Sequence, residues 1–300
     1  METMVRTEKL SVSYRTGKSK YLKALSDVDL AVEKGDFLAL LGPNGAGKTT
    51  AMLCMLGLIK PTTGSVSLLG SSPYPGAPVF ERVAYLPEEP LYPEFLNIRE
   101  TVTYYSGLYK NDCNEKKIRE LIGRVGLTDF EKLKVGQCSK GMKQRLGIAI
   151  CLANDPEVYF LDELSRGLDP IMLMDLRDIL LELSSEGKTI IMNSHMLSEV
   201  EQLCTKAVII NKGRVIRQDT LDNLMSTDIE RYTAEIGSCE VPEFAELVSR
   251  VQNRLILEFE TSRLPQIAEY CRSRNVVLYE CHLKRRSLED AFRQVLGEDK

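Results

Sequence analysis

The run Gly42-Pro43-Asn44-Gly45-Ala46-Gly47-Lys48-Thr49 carries the residue types that hold a chain of phosphates. It fits the pattern G-x-x-x-x-G-K-[ST], whose glycines let successive backbone N–H groups turn toward phosphate oxygens. A helix starting at the end of such a loop adds the positive end of its dipole. Lys48 is placed to reach the outermost phosphates and Thr49 to offer its hydroxyl to Mg2+, so contact is expected from Gly42 to Thr50. Hydrolysis asks for more: a carboxylate for the metal and an acceptor that orients the attacking water. The run VYFLDE offers both, Asp162 for the metal and Glu163 for the water. Taken alone, an Asp-Glu pair after a strand serves equally well as a solvated turn or a helix start. Beside a phosphate loop it reads as chemistry.

These residues need rigid elements to carry them. FLALL before the loop is a short apolar run of buried-strand type, and TTAMLCMLGLI after it has helical length and stops before Pro61. Upstream, KLSVSY and DVDLAV alternate apolar and polar, as antiparallel strands joined by an exposed loop do. Residues 88 to 135 lack strand alternation, and IRETVTYYSGLY and EKKIRELIGRVG have helical spacing with glycine stops. VYFLD and TIIMN then alternate with the amphipathic MLMDLRDILLEL, the pattern of a mostly parallel sheet flanked by helices, and AVIINKGRVI reads as a hairpin about Lys-Gly. After Leu224, MSTDIE looks like a linker. RYTAEIG, EFAELVSRV, RLILEFE, LPQIAEYC, VVLYECHL and SLEDAFRQVL then alternate strand and helix, a second, small α+β domain.

Further motifs follow in an order that resembles the ABC ATPases, and the resemblance spans residues 5 to 222. Cys138-Ser139-Lys140-Gly141-Met142-Lys143-Gln144-Arg145 is similar to their LSGGQ signature and stands before a helical run. By itself a Ser-Lys-Gly helix start is usually a cap. The resemblance implies that Ser139, Lys140, Gly141 and Met142 meet the γ-phosphate of ATP bound to a second subunit. It also implies that His195, after the TIIMN strand, is a switch histidine on the γ-phosphate, and that Ser165-Arg166-Gly167-Leu168-Asp169 is a D-loop that communicates across the dimer. Tyr14 resembles the aromatic that stacks on adenine, with Tyr21 as its competitor.

The implied fold is α/β: a P-loop NTPase core of the ABC ATPase kind over residues 1–224, with an antiparallel β subdomain and an α-helical subdomain at about 88–150, plus a small C-terminal α+β domain over 225–300. The implied activity is ATP hydrolysis, with ATP and Mg2+ bound. Four departures bear on its rate. Glu88 stands in Tyr85-Leu86-Pro87-Glu88 where many relatives have glutamine; it cannot donate an amide hydrogen bond but offers Mg2+ a hard oxygen. Lys140 replaces a signature glycine and Met142 a glutamine, while Leu164 stands where proline is usual. The segment YLPEEPLYPEF resembles the branch serving drug, antibiotic, sodium or haem-pathway exporters, in which glutamate at position 88 is familiar.

Composition narrows the partners. A formal net charge of −4 gives no broad basic field, so no nucleic acid is expected. No run approaches the roughly 20 apolar residues of a bilayer-spanning helix, and METMVRTEKL has charges where a signal peptide is apolar. None of the eight cysteines forms a Cys-x-x-Cys pair, and they read as reduced thiols. The expected setting is cytoplasmic, peripheral on the inner face of the inner or plasma membrane, with a second nucleotide-binding subunit and an integral membrane subunit docked near Glu88 and the helical subdomain. Two other readings stay open at this level. A soluble ABC protein of DNA maintenance or translation would usually carry a coiled-coil insertion, a second cassette or a cysteine cluster, and a regulatory subunit with weak hydrolysis is suggested by Lys140 and Leu164.

Overall fold

Three apolar pentapeptides organise the molecule, and each is a fully buried strand. In the computed structural model, which describes residues 2–17, 21–108, 114–165, 168, 170–226, 231–238, 240–284 and 287–297, the chain divides into two compact units, Met1–Leu221 and Asp222–Lys300.

The first unit runs β1 (Thr3–Arg15), β2 (Tyr21–Glu33), β3 (Phe37–Leu41), α1 (Lys48–Met55), β4 (Thr63–Leu68), β5 (Val83–Leu86), α2 (Ile98–Ser106), α3 (Glu115–Arg124), α4 (Lys140–Ala153), β6 (Val158–Asp162), α5 (Pro170–Ser185), β7 (Thr189–Asn193), α6 (Leu197–Leu203), β8 (Lys206–Asn211) and β9 (Arg214–Thr220). Strands β5, β6, β7, β3 and β8 lie side by side in parallel, with β9 antiparallel at the edge. Covered on both faces, the central strands can be apolar throughout. Their carboxyl ends line up, which is where open α/β sheets bind ligands. A separate antiparallel sheet, β2-β1-β4, forms the expected β subdomain.

The helix after the loop is shorter than TTAMLCMLGLI suggests. It ends at Met55, with Gly57 at φ +65°. A Cβ at Gly57 would lie 2.8 Å from the Pro73 backbone, so the chain turns there against a crossing segment. Strands β4 and β5 were not legible in the sequence. Only Val66 and Leu68 of β4 are buried, and β5 is four residues long.

The second unit contains α7 (Leu221–Met225), most of which lies in it, then β10 (Arg231–Ile236), β11 (Glu246–Val251), β12 (Arg254–Glu260), α8 (Leu264–Ser273), β13 (Leu278–Lys284) and α9 (Leu288–Leu296). Its sheet order is β11-β12-β10-β13, antiparallel throughout. The alternation of strand and helix fails at EFAELVSRV, whose last six residues are β11, an edge strand in a hairpin with β12. Phe244, Leu247, Val248 and Val251 happen to sit at helical spacing, but Gln252 takes φ +54° and reverses the chain. Leu247, Val248 and Val251 stay about half exposed, so no helix face is buried there.

Candidate functional site

Strand β3 ends in the phosphate loop, and close backbone approaches fix its shape. Gly42 has φ +155°, and a Cβ there would come within 2.1 Å of the Ile210 carbonyl oxygen on β8. Gly47 has φ +108°, and a Cβ would fall 2.7 Å from the Ala24 carbonyl oxygen on β2. The loop is therefore wedged between the parallel sheet and the β subdomain, and Gly213 N–H donates to Ala46 O at 2.9 Å across the same junction.

Lys48 opens α1 and is buried. Its ammonium folds back to donate to Gly42 O at 2.7 Å and Pro43 O at 3.3 Å. Burial lowers its pKa from the usual lysine value, and the negative charges of Glu163 and Asp162 oppose the shift. Asp162 ends β6 and is also buried. Desolvation raises its carboxyl above the usual range, the Asn193 hydrogen bond lowers it, Glu163 raises it and Lys48 lowers it. In register beside it on β7, Asn193 donates its amide to Asp162 Oδ1 at 2.7 Å and to Thr49 Oγ1 at 3.3 Å.

Glu163 leaves β6 at φ +49°, a left-handed conformation that costs a non-glycine residue about 1 kcal/mol or more and often marks functional sites. Its N–H donates to Asn193 O at 2.9 Å, and its carboxylate Oε2 contacts Nδ1 of His195. The Glu163 side chain is mostly covered while the His195 ring is half exposed.

One cleft of about 610 Å³ gathers Tyr14, Asn44 to Thr50, Glu88, Glu163, Asn193 and His195. Tyr14 OH lies 3.3 Å from Thr50 Oγ1, whereas Tyr21 stands away from the cleft and is exposed. Gly42, Pro43 and Asp162 are not among the residues lining the cleft; Lys48 donates to the Gly42 and Pro43 carbonyls, and Asn193 to Asp162. Leu22, Lys23 and Ala24 of β2 also line it, a contribution the sequence does not announce. Asn193 was likewise missed; the signal was an Asn ending a buried strand that pairs with the strand carrying Asp162.

Ser139, Lys140, Gly141 and Met142 lie outside this cleft. Ser139 caps α4, its Oγ accepting from Met142 N–H at 3.2 Å. The Lys140 ammonium pairs with the Glu89 carboxylate, 3.8 Å off. Leu164 is buried. Asp169, Arg166 and Gly167 lie outside the described residues.

Comparison with known proteins identifies this arrangement. The family profile described as "ABC transporter" matches residues 25–166. An uncharacterized ABC transporter ATP-binding protein of Synechocystis sp. is 34% identical, with 98% of this chain and 85% of that protein covered. The chain belongs to the ABC transporter ATP-binding proteins. It is thus an ATP-binding, ATP-hydrolysing transporter subunit rather than a soluble ABC protein of another kind. The lantibiotic transport ATP-binding protein SrtF of Streptococcus pyogenes is 38% identical over 73% of this chain and 92% of its own length. A solved ATP-binding subunit of an ABC transporter superposes with a TM-score of 0.66 at 30% identity, covering 74% of this chain and 91% of that one. Among the described residues no helix is long and apolar enough to cross a membrane, so this subunit supplies no spanning helix from them.

Proposed function

We propose that the subunit drives export by hydrolysing ATP held between its own phosphate loop and the Ser139–Met142 segment of a second nucleotide-binding subunit. The observation that carries this reading is a half-built site: Lys48, Glu163 and His195 converge on one cleft, and Ser139 to Met142 stand outside it.

Tyr14 stacks on adenine. Lys48 gives up the Gly42 and Pro43 carbonyls for phosphate oxygens, a favourable exchange for a buried ammonium. His195 leaves Glu163 for the γ-phosphate, which frees the Glu163 carboxylate to orient the attacking water and take its proton. Asp169 acts across the dimer. Closure by ATP and release on hydrolysis transmit force to the partner.

The donor set suits Mg2+: hard oxygens on Thr49, Asp162 and Glu88, and a buried, unpartnered Oδ1 on Asn193 that can accept from a metal-bound water. Bound Mg2+ would offset phosphate charge there.

The membrane subunit docks on the helical subdomain near Glu88, on the cytoplasmic face, where Leu91, Phe95 and Leu108 are exposed apolar side chains. Export is favoured by the YLPEEPLYPEF resemblance and by the likeness to SrtF. Residues 225–300 form an accessory domain that stabilises the dimer or regulates it.

Sedimentation of Glu163→Gln with ATP and Mg2+ tests the composite site. A stable dimer is expected; a monomer at low salt would overturn it.

A further inference from the structure

We propose that Glu199 is a positioning residue for His195, acting through the Ser194 hydroxyl. The inference rests on the role given above to His195.

Ser194 is 1% exposed, and its Oγ makes two hydrogen bonds. It donates to Glu199 Oε2 at 3.2 Å and accepts from the Met196 N–H at 3.0 Å. The amide can only donate, so the single hydroxyl proton is committed to the carboxylate. That commitment ties the residues on either side of His195 into one turn. Glu199 sits in the first turn of α6, anchored by its own N–H to Met196 O at 3.1 Å and by the fully buried Val200 next to it.

The surroundings of Glu199 are those of a placed group rather than a solvated helix carboxylate. It lines an apolar cleft with Leu164, Leu176, Met192, Met196 and Leu203. Arg177 borders the same cleft, but its guanidinium donates to Gln202 Oε1 at 2.7 Å. Desolvation raises the Glu199 carboxyl, while Ser165, Ser194 and the charge of His195 pull it back down. The Ser165 hydroxyl is close enough to act on the carboxylate without meeting hydrogen-bond geometry. Glu199 therefore stands between two segments, one following Glu163 and the other carrying His195. A partly buried carboxylate is retained at a cost, and here it braces His195 from behind through Ser194.

Steady-state ATP hydrolysis by the full chain tests this. Glu199→Ala is expected to lower kcat about tenfold, the worth of one charge-assisted hydrogen bond, with KM for ATP and the melting temperature nearly unchanged. Glu199→Gln keeps an oxygen that accepts from Ser194 and should recover most of the rate. Ser194→Ala should reproduce Glu199→Ala, and the double variant should be no worse than either. Normal kcat in Glu199→Ala beside lost activity in His195→Ala would overturn this inference alone. So would a Glu199→Gln chain as slow as Glu199→Ala, or loss of ATP binding in Ser194→Ala. Normal hydrolysis by His195→Ala would instead overturn the role of His195, and this inference with it.

Discussion

Asp162 and Asn193 face each other across the register of two neighbouring parallel strands, joined by a 2.7 Å hydrogen bond from the amide to the carboxylate. The same amide reaches Thr49, so one side chain ties the phosphate loop to the strand that ends at Asp162. Asn193→Ala would leave a buried carboxylate short of a donor. A stability loss of about 1–3 kcal/mol is expected in urea titration, with a several-fold rise in the Mg2+ concentration needed for half-maximal hydrolysis. Unchanged Mg2+ dependence would remove Asn193 from the site.

Lys48→Ala removes the buried ammonium now parked on the loop carbonyls. Affinity for a fluorescent ATP analogue should fall by about 2 kcal/mol or more, while the protein stays folded because the group it loses is costly to bury. Binding within about twofold of the parent would show that Lys48 does not reach phosphate.

Gly42 and Gly45 both have positive φ but differ in room. A Cβ at Gly42 meets the Ile210 oxygen at 2.1 Å, whereas at Gly45 nothing lies within 4 Å. Gly42→Ala should unfold far more readily than Gly45→Ala, whose cost is the backbone term of about 1 kcal/mol. Denaturant midpoints that agree for the two variants would contradict the wedged loop.

The phosphate loop and Glu163 were readable because each follows an apolar run of buried-strand type, whereas the role expected of His195 came from the family resemblance. The function of Asn193 was not, since an Asn at a strand end says nothing until the register puts it beside Asp162. Strand β4 hid because four of its six residues face away from the core. EFAELVSRV misled for the opposite reason: its apolar spacing imitates a helix, and only the turn at Gln252 and the neighbouring β12 decide for a strand. The signature residues were legible as a motif, and the composite site proposed for them needs a second subunit.

The cysteines offer a check on packing. Burial pushes the Cys54 thiol up to about 11 and that of Cys151 to about 12. Both stay protonated at pH 8, so iodoacetamide should spare them in the native protein and modify them in urea, while the partly exposed Cys138 reacts without denaturant. Because each folded pKa lies above the unfolded one, this protection is intact below about pH 8.5, and stability falls as pH rises from there toward the folded values. Equal labelling of all three in buffer would refute the packing.

The central claim is that Glu163 orients and deprotonates the attacking water. It is met most directly by the ratio of ATP hydrolysis rates for the full chain and its Glu163→Gln variant, measured at saturating ATP and Mg2+. A drop of about a hundredfold or more, with ATP still bound, is the expected result. Hydrolysis at the parent rate in Glu163→Gln would contradict it.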